Sequence, residues 1–326
     1  MNTKDNILKI LEENRDKYMS GEVLAKELSL SRTSIWKAVK SLKEQGYEIK
    51  SSTNKGYKID ERCDKLSSFG IKNYLIPQLK DIDIYCYETI DSTNTQAKRL
   101  LYSKDLENFT VLISDEQTKG RGRKGRSFSS PKGSGIYMTI ILFPKDNFKI
   151  NSFDLITVRA ANAVVNAIKS KTDKEPKIKW VNDIFLNHKK ICGILSEADY
   201  DFESKQIKSI IIGIGLNFST DLSAFSKELR PIVGSLLPKD LLRNEFIGEI
   251  LNEFYKACYE QQREEILKIY KDNSLLLGRS VSFEKDSKKY EATAIDINEN
   301  GNLIVELEDG SIISLSSGEV SVKGQF

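Results

Sequence analysis

Histidine is almost missing from this chain. The only one among 326 residues is His188. It lies in Asn187-His188-Lys189-Lys190, a turn pattern between two strand-like runs. That placement argues against a Ser-His-Asp triad and against an HExxH zinc site. Cysteine is also sparse. Cys63, Cys86, Cys192 and Cys258 are far apart and form no CxxC pair, which excludes a disulfide framework or a zinc site and suits reduced thiols in a cytoplasmic protein. No run of 18 apolar residues occurs, so no transmembrane helix and no membrane partner are expected. Met1–Ile7 lacks the apolar core of a secretory leader. Repeats and low-complexity tracts are absent. No HRD-like or DFG-like motif appears, which excludes a protein kinase. Any chemistry must run on Lys, Arg, Asp and Asn.

Charge is the second scarcity, since the formal net charge is only +3. Basic character must therefore be local, and two stretches concentrate it. Within 1–62, apolar residues at Ile7, Leu8, Ile10 and Leu11 mark a first helix. Ser20 reads as the N-cap of a second, with Glu22 in its first turn, and Ser31 as the N-cap of a third over 32–45. Gly46 stops that helix, and Tyr47–Ile59 reads as a hairpin tipped by Asn54-Lys55-Gly56. Three helices and a hairpin outline a winged helix-turn-helix. Between Ser31 and Lys58 stand seven cations against two carboxylates. Arg32, Thr33, Ser34, Lys37 and Lys40 would face DNA from the third helix, and Lys55 from the wing. A protein-interaction domain with an ordinary charged surface is the alternative.

The next division, 63–274, opens with a connector of little signal and becomes a mixed α/β region. Strand-like runs occur at 84–87, 110–114, 135–143, 178–180, 184–186, 191–197 and 207–214. Helix-like runs occur at 93–102, 153–170 and 244–271. Two helices on one side of a mixed sheet would fit this order. From 275 to 326 the texture is short alternating strands, with hairpin signals at Asp286-Ser287, Asn300-Gly301 and Asp309-Gly310. This reads as a small β-barrel. The fold class is thus α+β and multidomain.

The second basic stretch is 116–135. From Lys119 to Lys132 there are six cations, Lys119, Arg121, Arg123, Lys124, Arg126 and Lys132, and no acid. Glycines interleave with them, so the backbone can turn sharply and approach a ligand closely. Arginine forks grip carboxylate or phosphate. Such a loop would close over an anionic small molecule, disordered when empty and ordered by its ligand. A solvated tether or nucleic-acid patch is the alternative. Gly120-x-Gly122-x-x-Gly125 matches GxGxxG, and Gly120 to Ser127 nearly matches a P-loop. Both motifs need a helix directly after the glycines. Pro131, Gly133 and Gly135 follow instead, so both readings fail.

Three further groups could carry chemistry. Asp91-Ser92-Thr93-Asn94 opens a helix, where it caps and could also satisfy a neutral polar head such as a urea. Lys179-Trp180-Val181-Asn182-Asp183 ends one strand and Lys190-Ile191-Cys192-Gly193 begins another. The turn at Asn187-His188 would bring Asp183 and Lys190 together. Cys192 reads as a small buried residue, not a nucleophile. Gly213-Ile214-Gly215-Leu216-Asn217 ends an apolar strand, and Asn217 could hold a metal or phosphate.

Gln117, GRGRKGRSF (120–128), KWVND (179–183), KKICGIL (189–195) and GIGLN (213–217) together resemble the biotin protein ligases. With a winged helix ahead and an SH3-like barrel behind, essentially the whole chain resembles the bifunctional type that also represses a biotin operon. The resemblance implies that biotin and MgATP give biotinyl-5′-adenylate and pyrophosphate. The acyl group then passes to a lysine of a biotin carboxyl carrier protein, and adenylate promotes a homodimer on operator DNA. It implies Lys190, Asp183 and Arg123 as catalytic residues. It places biotin against Ser92, Thr93, Asn94, Gln117, Gly120, Arg121, Gly122, Arg123, Lys190 and Gly193. It places ATP against Arg121, Arg126, Asn182, Asp183 and Asn217. Mg²⁺ would come with ATP, near Asp183 and Asn217, without a protein cage of its own. Val181 stands where many members carry proline, and Phe128 where some carry tryptophan. Only Trp36 and Trp180 exist, so no tryptophan after Asn217 can stack on adenine. A ligand-sensing repressor without turnover and a lipoate ligase are the competing readings.

Overall fold

Side chains that cap, staple and pair set the boundaries of the elements in this computed structural model. It describes residues 2–144, 155–201, 203 and 205–322. The chain divides into two compact units, Met1–Lys80 with Asp240–Glu249, and Asp81–Lys239 with Ile250–Phe326.

The first unit begins with α1 (Thr3–Glu13), α2 (Gly21–Glu27) and α3 (Arg32–Glu44). Asn2 and Asp5 form a capping box on α1, and the Ser20 and Ser31 hydroxyls accept from Val23 N and Ser34 N. Each capped end satisfies an amide that the helix cannot pair internally. Gly46 takes φ of 92°, which ends the α3 segment. Ile7, Leu11, Leu24, Ile35, Val39, Leu42 and Ile59 form the core. The wing is β1 (Ile49–Ser52) paired antiparallel with β2 (Gly56–Ile59). The unit also contains α4 (Ser68–Lys72). Arg243 binds Asp64 through its backbone N and its Nε, both at 2.7 Å, and Asn244 Nδ2 donates to Lys65 O at 2.9 Å. Those bonds explain why residues 240–249 group with the N-terminal part.

The second unit is built on a mixed seven-stranded sheet. Its strands are β3 (Ile84–Ile90), β4 (Thr110–Gln117), β5 (Ile136–Leu142), β6 (Lys177–Lys179), β7 (Asp183–Leu186), β8 (Lys189–Asp201) and β9 (Gln206–Leu216). They lie in the order β3-β4-β5-β9-β8-β7-β6. Only β3 and β4 run parallel, and every other neighbouring pair is antiparallel. Every residue of β5 is buried, as suits a strand at the middle of a covered sheet. Two helices pack on this sheet. α5 (Thr93–Ser103) lies against β4, β5 and β9, and α6 (Ile156–Lys171) against β6, β7 and β8. The helix read from 153 onward begins at Ile156 with Leu155 as its N-cap, and positions 153 and 154 lie outside the described residues.

The single helix read over 244–271 is two, α7 (Arg243–Tyr259) and α8 (Arg263–Asp272). The continuous apolar periodicity hid the break at Glu260-Gln261-Gln262, where Gln262 takes an extended conformation ahead of α8. The C-terminal strands are β10 (Ser280–Lys285), β11 (Lys288–Ile297), β12 (Leu303–Leu307), β13 (Ile312–Leu315) and β14 (Val320–Val322). They form an antiparallel sheet in the order β13-β12-β11-β10-β14. Asp286, Ser287, Gly301 and Gly310 all adopt positive φ at the three turns read from the sequence. Among the described residues the strand pairs run in one series from β13 to β14. Ala294, Ile297, Leu303 and Val305 form its buried side.

Candidate active site

The largest group of sequence-selected residues meets in one cleft of the second unit, about 210 Å³ in volume. Ser92, Thr93, Asn94 and Gln117 line one part of it, Arg121, Gly122, Arg123 and Arg126 another, and Asn182, Asp183, Lys190 and Gly193 a third.

The first wall is neutral and polar. Ser92 caps α5, accepting from Thr95 N. Thr93 donates from both N and Oγ1 to Gln117 Oε1, at 2.8 and 3.1 Å, and Gln117 Nε2 donates to Ser130 Oγ at 2.8 Å. Asn94 accepts from Thr139 Oγ1 at 2.7 Å and donates to Glu197 Oε2 at 3.0 Å. Burial works to raise the Glu197 pKa, but hydrogen bonds from Lys98 and Asn94 outweigh it and hold the carboxyl below its ordinary value. Gly213 leaves room for this arrangement, because a Cβ there would collide with Asn94 Oδ1. Every member is therefore locked before any ligand arrives.

The second wall is the basic flap. Its strands are joined by Gln117 N to Ser130 O, Phe128 N to Gly120 O and Gly122 N to Arg126 O. At its tip Arg123–Gly125 makes one short 3₁₀ turn. No α-helix follows the glycines, which is why the phosphate-loop readings fail. Gly120 does not line the cleft. It packs against the backbone of Phe128, where a Cβ would clash. Its role is close chain packing, which a spacing match cannot distinguish from ligand approach. Phe128 does line the cleft, with its ring over Gly215, where a Cβ would lie 2.7 Å from the ring. The Arg123 guanidinium donates to Asn182 Oδ1 at 3.0 Å, and Arg121 lies 3.8 Å from Glu197.

The third wall holds a close charge pair. Lys190 Nζ lies 2.7 Å from Asp183 Oδ1. Asn187 and His188 both take positive φ, 49° and 63°, in the turn between β7 and β8. Pairing then shifts from Phe185↔Lys190 to Ile184↔Cys192, so Ile191 is an extra residue in β8. A slip of one residue reverses which face a side chain occupies. The bulge thus brings Lys190 to the same side as Gly193, whose missing Cβ would sit 3.3 Å from Lys190 Cε and Nζ. Asn182 is fixed by Ile194, its Nδ2 donating to Ile194 O at 2.7 Å. Cys192 is fully buried and its thiol is pushed up by that burial, so it is no nucleophile.

Asn217 lies apart from this cleft. It lines an adjoining apolar cavity with Phe185, Phe225, Leu229, Ile232 and Val233, and Asp183 and Lys190 border both spaces. Asn217 is 3% exposed. Its Nδ2 donates to Gly234 O at 2.9 Å, while its buried Oδ1 has no partner. Among the described residues no group of three or more His, Cys, Asp or Glu is placed to hold a metal ion.

Two cleft residues escaped sequence reasoning. Glu319, from the C-terminal sheet, binds Arg126 at 2.7 Å, and this hydrogen bond holds its carboxyl below the ordinary value. Nothing local to Gly318-Glu319-Val320 signals that contact. Lys179 was visible within KWVND but had no assigned role. It lines both cavities, and burial depresses its pKa below that of an ordinary lysine.

In the first unit, Arg32, Thr33, Lys37, Lys40 and Lys55 are exposed, and Ser34 is partly covered. Arg32 is held by Glu22 at 2.5 Å. Ser34 Oγ lies 2.9 Å from Ser31 Oγ.

Comparison with known proteins adds to this geometry. Residues 86–217 match the model of the Biotin/lipoate A/B protein ligase family, 3–58 the HTH domain and 276–323 the Biotin protein ligase C terminal domain. The bifunctional ligase/repressor BirA of Bacillus subtilis (strain 168) is 28% identical, covering 94% of this chain and 95% of the relative. The protein of the same name from Escherichia coli (strain K12) is 26% identical, covering 94% and 93%. The biotin protein ligase from Aquifex aeolicus, solved in complex with biotin and ATP, superimposes with a TM-score of 0.61 at 27% identity, covering 74% of this chain and 98% of that one.

Proposed function

From a chain that belongs with the bifunctional ligase/repressors, its biotin/lipoate ligase domain standing between a helix-turn-helix domain and a biotin protein ligase C-terminal domain, we infer an ATP-dependent biotin–[acetyl-CoA-carboxylase] ligase that also represses transcription. The observation that carries this reading is the cleft itself. A rigid neutral wall at Thr93, Asn94 and Gln117 stands with Arg121, Arg123 and Lys190 on the other walls. Biotin has that polarity, with a ureido head and a carboxylate tail.

The first step joins two anions, as the biotin carboxylate attacks the α-phosphorus of ATP and pyrophosphate leaves. Arg121, Arg123 and Lys190 cancel their repulsion, each charge-assisted hydrogen bond contributing about 1.5–3 kcal/mol. Preorganised charge of this kind supplies the main rate term. Arg126 takes a phosphate of the nucleotide when it leaves Glu319. Asn217 suits adenine, whose exocyclic amine would satisfy the unpartnered Oδ1 between apolar walls. Phe225 and Ile232 then stand in for the missing tryptophan. Asp183, a single carboxylate beside the phosphate site, would hold the Mg²⁺ of MgATP, an ion commonly bound by one or two carboxylates plus substrate phosphates, and the ion would supply charge that screens the phosphates. In the second step the acceptor lysine amine attacks the adenylate carbonyl and AMP leaves; Asp183 orients the amine and helps remove its proton, which leaves with difficulty from a group of pKa about 10.4.

Ordering of the flap by adenylate couples ligation to a homodimer that sets two helix-turn-helix units on operator DNA. Coupling of about 1–3 kcal/mol suffices. The biotin carboxyl carrier protein is the acceptor. No described helix is long and apolar enough to cross a membrane, and a cytoplasmic setting follows from the chemistry proposed. Incubation with biotin, MgATP and an apo acceptor domain tests the reading. Biotin on the acceptor lysine is expected. Adenylate without transfer would leave a sensor, and preferential use of lipoate would reassign the substrate.

A further inference from the structure

The outward face of α3 carries one residue that neither core packing nor charge explains. Trp36 is 53% exposed, while Ile35, Ala38, Val39 and Leu42 turn inward. It stands one turn after Arg32 and Thr33 and one turn before Lys40, whose Nζ lies 5.6 Å from the ring centroid. Lys37 beside it and Lys55 on the wing are also exposed. The setting is an exposed indole with Lys40 over it, on a face that also exposes further cations, in the half of the helix that meets base edges in helix-turn-helix proteins.

The cations match a polyanion, and the ring matches something apolar within it. In the major groove the base edges present hydrogen-bond donors and acceptors, and the apolar feature is the C5 methyl of thymine. Phosphate contacts fix register but carry no sequence information. We propose that Trp36 selects a thymine in each operator half-site by packing on its methyl group, with Lys37, Lys40 and Lys55 on the flanking phosphates. The inference rests on the DNA-binding reading of the first unit and names the residue that supplies its specificity.

The test uses the full-length protein with biotin and MgATP at fixed salt. A duplex is first selected from a random pool by the wild type, and each thymine is then replaced by uracil, which removes only the methyl. One position per half-site should weaken binding in the wild type. Trp36→Ala should bind the selected duplex about tenfold less tightly, the scale of one lost base contact, and should be indifferent to uracil at that position. Its dependence of log affinity on log salt should stay as steep as the wild type, whereas Lys37→Ala should lower that slope by about one. Trp36→Phe should retain part of the discrimination. An unchanged thymine preference in Trp36→Ala overturns the proposal and leaves DNA binding intact. A steep affinity of the face for an unrelated protein, with no duplex selected by the wild type, overturns DNA binding itself.

Discussion

Lys190 Nζ and Asp183 Oδ1 lie 2.7 Å apart across the β7–β8 turn, although neither residue is opposite the other in the strand register. The pair places a cation where two anionic substrates must meet and a carboxylate where an amine must lose a proton. Separating the two roles is the first prediction. Lys190→Ala should lower ATP–pyrophosphate exchange by about 10²–10³, the usual cost of removing one preorganised donor. Asp183→Asn should slow transfer to the acceptor more than it slows exchange. Single-turnover measurements of each step would show the split, and equal losses in both variants would deny it.

Gly213 keeps Asn94 in place by having no side chain. Gly213→Ala should push the amide off the cleft wall and raise the biotin KM, with overpacking costing about 1–3 kcal/mol of stability. Gly278→Ala, at a turn with open space around it, serves as a contrast for which positive φ alone is strained. Biotin titration calorimetry on both variants distinguishes a local steric effect from general weakening.

Glu197 gives a pH signature. Its carboxyl lies below the ordinary value of 4.5 in the folded protein, so it binds a proton less readily folded than unfolded. The stability it contributes is present above the unfolded pKa and is lost as pH falls through the lower folded value. Thermal midpoints of wild type and Glu197→Gln should therefore differ at neutral pH and converge in acid, below about the ordinary glutamate range. Curves that stay parallel well below that range would mean that Lys98 and Asn94 do not hold the charge.

Trp180 joins the catalytic motif to the C-terminal sheet. Its indole is 4% exposed and its Nε1 donates to Gly301 O at 2.9 Å. Trp180→Phe should leave that carbonyl without its donor and destabilise the second unit by about 1–3 kcal/mol, as read by urea unfolding. Activity at saturating substrates in the absence of denaturant should fall less than stability does.

The order of elements was legible because it is local. Caps at Ser20, Ser31 and Ser92, the periodicity of α1 and α3, and the turn residues at 187–188, 286–287, 300–301 and 309–310 each act within a few positions of themselves. The break between α7 and α8 was not legible, since apolar spacing ran through it. The flap was legible as a basic, glycine-rich loop, but the packing of Gly120 on Phe128 was not, because close packing and ligand approach call for the same residue.

By itself the sequence determined the chemistry available, namely cations and amides in place of imidazole or thiolate, and the succession of helical, mixed and all-β parts. It also implied that Asp183 and Lys190 would meet. Only the tertiary structure decided the rest. It put Arg126 against Glu319, some 190 residues away in sequence, placed Asn217 in the neighbouring cavity, and used the Ile191 bulge to turn Lys190 onto the face of Gly193. These outcomes depend on strand register and on contacts between distant segments, and neither leaves a periodic trace in the residues that make them.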